Sequence, residues 1–96
     1  MSSPHIDTFL FDEENEEKIS AHGLSVYRVV QLLDNKNIIM PNRKRRRGKY
    51  LIIGRDNGGT YISVPIESTN KYGLWRPITA WPSKKGEKTI LKKYER

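Results

Sequence analysis

The chain contains no cysteine, which excludes disulfides, thiolate catalysis and thiolate metal sites and fits a reducing compartment. Histidine is nearly absent as well: with only His5 and His22 available, a zinc site is not expected. Long hydrophobic runs are missing. The most apolar neighbourhood, GLSVYRVVQLL, is interrupted by Arg28 and falls far short of the roughly 20 residues of a membrane span. The start, MSSPHIDTFLF, shows no basic leader followed by an apolar segment. These absences lead us to expect a cytoplasmic protein that does not engage a membrane. Glycine-rich phosphate loops are also lacking, because GRDNGG has neither the spacing nor the strand-to-helix context they need. Serine-nucleophile signatures do not occur, and neither cofactor nor metal is expected.

What is present is charge, unevenly placed. The 96 residues carry a net charge of +7, with 35% hydrophobic and 30% charged residues. That length allows one domain, residues 1–96, in which folding hides only about 60–65% of the chain's surface. Residues 1–34 have a balance of −5, whereas residues 35–55 hold eight bases and no acid. An acidic front and a basic middle give a dipolar surface, its basic part suited to a polyanion.

The pattern predicts helices first and strands afterwards. Residues 1–6 are expected to form a flexible tail, and DTFLF a short strand with Phe9 and Phe11 on one face. Asp12 is placed to cap a helix with Glu13 and Glu14 in its first turn, and Gly23 to stop it. Ser25 can cap a second helix on whose single face Val26, Val29, Val30 and Leu33 fall. From residue 37 the segments NIIM, KYLIIG, TYISVPI and LWRPITAW read as an antiparallel meander, with Asp56-Asn57-Gly58-Gly59 as a tight hairpin turn. Pro65 and Pro77 belong at an edge, a strand start or a bulge, so the last two strands are expected to be bent or only partly paired. Ser83 can cap a last helix that docks through Ile90, Leu91 and Tyr94.

The segment PNRKRRRGKYLIIGRD sets seven bases beside the most apolar strand. RKRRR satisfies the composition of a nuclear signal, and it could equally be a solvated hairpin loop. Five consecutive like charges repel one another, a cost that a partner anion removes. Lys49 and Arg55 share a strand face but lie about 20 Å apart, too far to grip one phosphate. Tyr50, Tyr61, Trp75 and Trp81 could stack on unpaired bases or fill the core. Glu13, Glu14, Glu16 and Glu17 read as a solvated acidic face. His22, just before Gly23, suits the end of a helix dipole, with a catalytic role left open.

These residues carry a family likeness. FDEENEEKISAHGLSVYRVVQLLD resembles the opening of the BrnT toxins, KYLIIGRDNGG looks like their IGR strand and glycine hairpin, and WRPITAWPSKKGEKTILKKYE is similar to their last strand and charged helix. The likeness spans residues 9–95. It implies a RelE-like α+β domain: an antiparallel sheet of four to five strands, two N-terminal helices and one C-terminal helix. It also implies a metal-independent endoribonuclease and a cognate antitoxin, with a homodimer and a toxin–antitoxin hetero-oligomer both open. Carried over by position, Lys49, Arg55 and Arg76 would stabilise the phosphate and His22 would be the candidate general base. Arg43, Lys44, Arg45, Arg46 and Arg47 would hold the RNA strand. Trp81 stands where many members have arginine. A basic nucleic-acid-binding or antitoxin-binding module without turnover is the alternative.

If all five of Arg43 to Arg47 meet phosphates of single-stranded RNA, log Kd against log salt should have a slope of about 3.5, weakening binding roughly a hundredfold from 50 to 200 mM. A slope near zero in a fluorescence-anisotropy titration would remove the phosphate reading of the segment.

Overall fold

Apolar alternation in YLIIGR and YISVPIES builds the centre of the protein, which the computed structural model describes over residues 4–43 and 47–95. In chain order the elements are β1 (Thr8–Phe9), α1 (Glu13–Ala21), α2 (Val26–Val30) with a following 3-10 turn (Gln31–Leu33), and β2 (Asn37–Pro41). Then come β3 (Tyr50–Arg55), β4 (Tyr61–Ser68), β5 (Leu74–Pro77), β6 (Trp81–Pro82) and α3 (Lys85–Glu95). The class is α+β, a six-stranded sheet ordered β1-β5-β4-β3-β2 with β6 also on β4.

The two central strands sort their side chains by parity. Ile52, Ile62, Val64 and Ile66 face Phe9, Ile19, Val29 and Leu32 in the main core. Leu51 and Ile53 point the other way, where Leu91 of α3 covers them in a much smaller cluster. Gly54 lets the 3-10 turn lie on β3, since a Cβ there would come within 2.9 Å of Leu32 Cγ.

Helix α1 starts and stops as its sequence predicts. Asp12 accepts from the Asn15 amide at 2.9 Å while Asn15 Oδ1 accepts from the Asp12 amide at 2.8 Å, a reciprocal cap that satisfies two orphan donors. At the other end Gly23 has φ +78, and the amides of Gly23 and Leu24 close on the carbonyls of Ser20 and Ile19, the Schellman arrangement. Asn15 does more than cap. Fully buried, it donates its two side-chain protons to the carbonyls of Leu10 and Pro77, both at 3.0 Å.

Several expectations need correction, the first being the strand count, which is six rather than four to five. The sheet is mixed, not antiparallel throughout, because β1 runs parallel to β5 with Thr8 opposite Leu74 and Phe9 opposite Trp75; the whole helical segment and three strands intervene before the chain returns beside β1. LWRPITAW does not form one strand. Ile66 pairs with Pro77 and Ile62 with Pro82, so four steps on β4 oppose five on its partner, and the extra residue makes a bulge. Pro65 sits at that bulge and gives its carbonyl to the Ile78 amide at 2.8 Å, which is how a central strand tolerates proline. Ser83 does not cap α3; its hydroxyl bonds Ser63 at 2.8 Å, and Glu87 instead accepts from the Lys84 amide at 2.8 Å. Of the three expected docking residues only Leu91 is buried, with Ile90 and Tyr94 exposed. Within the expected tail, Ile6 packs on the core and the His5 carbonyl accepts from Trp75 Nε1 at 3.0 Å; residues 1–3 lie outside the described residues. Among the described residues no helix is long and apolar enough to cross a membrane.

Asn15→Ala strips two carbonyls and a cap of their partner in one step, and should cost about 2–4 kcal/mol. In a urea titration this lowers the midpoint without changing the slope; an unchanged midpoint would show that water replaces the amide.

Candidate functional site

The structure does not bring Arg55 and Arg76 together. Arg55 pairs across the ladder with Tyr61, and Arg76 with Glu67; six residues of β4 separate those partners, a span of about 20 Å. Each arginine is committed to carboxylates of its own chain. Arg76, largely buried, grips Asp12 through Nε at 2.7 Å and Nη2 at 3.1 Å, with Glu67 at 2.9 Å and Glu14 at 3.0 Å completing the set. Its hydrogen bond to Asp12 raises its already high pKa against the opposing effect of burial. The same bond, helped by the Asn15 amide, holds the Asp12 carboxyl below the ordinary range.

Arg55 closes on Glu95 at the end of α3, with Nε at 2.9 Å, and lies over the Tyr61 ring at 5.1 Å. The Glu95 bond raises its pKa. It lines a polar hollow of about 450 Å³ with Lys36 and Asn57, where Glu95 already faces its guanidinium. A third clamp joins α2 to the hairpin turn: Arg28 Nε donates to Asp56 at 2.7 Å. Burial pushes the Asp56 carboxyl up, but Arg28 and the Thr60 amide outweigh it and the net shift is downward.

The basic segment joins β2 to β3, which pair as an antiparallel hairpin. Asn42 ties its ends, donating from Nδ2 to the carbonyls of Arg47 and Gly48 at 3.1 and 3.3 Å while its amide meets the Lys49 carbonyl at 3.1 Å. Arg43, Arg47 and Lys49 are exposed, and the Lys49 ammonium lies 5.7 Å from the Tyr50 ring centroid. Arg47 reaches Glu67 at 3.3 Å and Glu14 at 3.8 Å, its side chain 55% exposed. Lys44, Arg45 and Arg46 lie outside the described residues.

One cleft does gather predicted site residues. It has a volume of about 660 Å³ and is lined by His22, Asn42, Arg47, Pro65, Ile78, Thr79, Trp81, Pro82 and Lys84. The bulge forms its floor, the end of α1 brings His22, and the basic hairpin brings Arg47. His22 Nδ1 lies 3.0 Å from the Lys18 carbonyl; a carbonyl only accepts, so Nδ1 carries the proton and in the neutral ring Nε2 is the basic nitrogen. Trp81 is held by its indole N–H, which donates to Glu87 at 3.0 Å. Glu87 also accepts from Ser63 at 2.9 Å, so the ring's orientation is tied to both β4 and α3.

Thr79 and Lys84 escaped the sequence reading. Thr79 Oγ1 is buried and has no hydrogen-bond partner among the described residues, a state that costs about 1–3 kcal/mol. The paired prolines, Pro65 and Pro77, were the available signal: both mark the bulge, and the residues that follow Pro77 line the cleft. Comparison with protein-family models and with curated proteins gives no match to this chain.

The depressed carboxyls of Asp12 and Asp56 imply an acid-labile fold. A carboxyl whose folded pKa lies below its unfolded value of 3.8 contributes stability that is complete above that value and is lost as the pH falls through the folded one. Melting temperature followed from about pH 6 to pH 2 should therefore drop steeply at the acid end, and Asp12→Asn and Asp56→Asn should each flatten the drop. Equal acid slopes in all three proteins would mean that the pairs bind no linked protons.

Proposed function

We propose that this protein is a divergent BrnT-like toxin of RelE-like fold, a cytoplasmic endoribonuclease that cleaves RNA without a metal ion and is held in check by a cognate antitoxin. The observation that carries the reading is the cleft whose lining includes His22, Arg47, Trp81 and Lys84, Arg47 being the last of the five consecutive bases in the sequence.

In this reading His22 Nε2 removes the proton of a ribose 2′-hydroxyl. The O2′–P bond forms, the P–O5′ bond breaks, and the departing 5′ oxygen takes a proton from solvent, leaving a 2′,3′-cyclic phosphate and a 5′-hydroxyl. Arg47 and Lys84 neutralise the charge that develops at phosphorus. The contacts of Arg47 with Glu67 and Glu14 are exposed ion pairs, worth about 0–1 kcal/mol, so an incoming phosphate displaces them at little cost. Arg55 and Arg76, which the resemblance puts at the phosphate, serve in this reading as clamps on α3 and α1. Lys49 and Arg43 stay with the hairpin and meet the strand.

A second reading, a basic module that binds RNA or an acidic antitoxin without turnover, draws on the commitment of Arg55 and Arg76 to carboxylates. The two readings separate on one gel. Purified protein incubated with end-labelled single-stranded RNA in EDTA should yield fragments ending in 2′,3′-cyclic phosphate, and His22→Asn should slow their appearance by about 10²–10⁴-fold while leaving the fold intact, since His22 is exposed. Intact RNA that still binds, or an equally active His22→Asn variant, overturns the proposed chemistry.

A further inference from the structure

The cleft is larger and more apolar than a phosphate requires. Its volume of about 660 Å³ falls in the range of sites that enclose whole organic groups. The lining divides by chemistry: Pro65, Ile78, Pro82 and the indole of Trp81 make apolar walls, while His22, Arg47 and Lys84 supply imidazole and cations. A bare anion would gain nothing from the first set, and an uncharged hydrophobe nothing from the second.

Two further features concern what lies against the walls. Trp81 is oriented before any ligand arrives, because Glu87 holds its indole N–H at 3.0 Å and is itself fixed by the Ser63 hydroxyl and the Lys84 amide. Thr79 lines the same cleft with a hydroxyl that has no partner among the described residues. A turn of about 120° about χ1 carries the threonine hydroxyl to another of the three staggered positions on Cβ, and from one that faces the cleft it would offer a group able both to donate and to accept.

We propose that the apolar part of the cleft receives one unpaired nucleobase, with its phosphate on Arg47 and Lys84, and that Thr79 is the residue that discriminates between bases. The inference rests on the RNA reading above and adds its substrate class. An indole ring such as that of Trp81 stacks on the face of any base; a hydroxyl that must find a partner tells one hydrogen-bonding edge from another. A base within a duplex has neither face nor edge available, so the substrate is single-stranded or presents a base already out of the stack.

The test does not need turnover. The full chain, labelled with ¹⁵N, is titrated with the four ribonucleoside 3′-monophosphates and with ribose 5-phosphate, which has no base. Nucleotides should shift the Thr79 amide and the Trp81 indole N–H, ribose 5-phosphate should leave both in place, and the four nucleotides should differ in Kd by about tenfold. In Thr79→Val, which keeps the shape of the side chain, the cleft should still respond while the spread among nucleotides collapses. Equal shifts from ribose 5-phosphate, no shifts in the cleft, or an undiminished spread in Thr79→Val each overturn the proposal. Base-selective binding without RNA cleavage would sustain this inference and remove the ribonuclease reading; cleavage without base-dependent shifts at Thr79 or Trp81 would do the reverse.

Discussion

A single buried amide sets the arrangement of the N-terminal half. Asn15 has no solvent to fall back on, and its carbonyl and both amide protons are used at once, on the Asp12 amide and on the carbonyls of Leu10 and Pro77. A buried polar group can be satisfied in few geometries, and all others carry its full desolvation cost. Helix α1 is therefore fixed in both position and axis against the end of β5. Two consequences follow along the chain: the capped Asp12 carboxylate faces Arg76, and the far end of the helix delivers His22 to the rim of the cleft.

Around that anchor the charges are spent on architecture to a degree that net charge conceals. Arg76 fastens α1, Arg28 fastens α2 to the β3–β4 turn, and Arg55 fastens the end of α3. For a domain this small the arrangement has a physical logic: the buried residues of the second core behind the sheet are Leu51, Ile53 and Leu91, with Ile38, Met40, Tyr61 and Trp81 packed partly buried around them, and directional ion pairs at helix ends add position to this limited apolar contact. The acidic N-terminal third thus acts partly as an internal counterion. The bases that stay exposed to a polyanion include Arg43 and Lys49 of the β2–β3 hairpin and the lysines of α3.

The cleft exists because two prolines interrupt the sheet. Pro65 has no amide to offer, so the opposite segment cannot continue as a regular strand; the chain bulges at Ile78 and resumes pairing only at Trp81. That detour leaves Ile78 and Thr79 lining the cleft, and it leaves the Thr79 hydroxyl without a partner among the described residues. Irregular pairing of this kind re-aims side chains away from the sheet's own packing, and here it adjoins a cleft lined by imidazole, guanidinium, ammonium and indole together.

Local rules of chain chemistry made much of this legible from residues alone. The Asp12 cap, the Gly23 stop, the parity of Ile62, Val64 and Ile66 and the turn at residues 56–59 depend on neighbours a few positions away, and the sequence by itself determined them. The parallel return of β5 beside β1, the break in LWRPITAW and the spending of Ser83 on Ser63 depend on partners 11 to 66 residues distant, which no periodicity records. The same distinction governs the site. Residue type determined which side chains could handle phosphate; only the tertiary structure decided that Arg55 and Arg76 would be neutralised by Glu95 and by Asp12, Glu14 and Glu67, while His22, Arg47 and Lys84 would share a cleft. The reason is that a cation's partner is whichever carboxylate the fold carries to it, and that is settled by packing rather than by spacing along the chain.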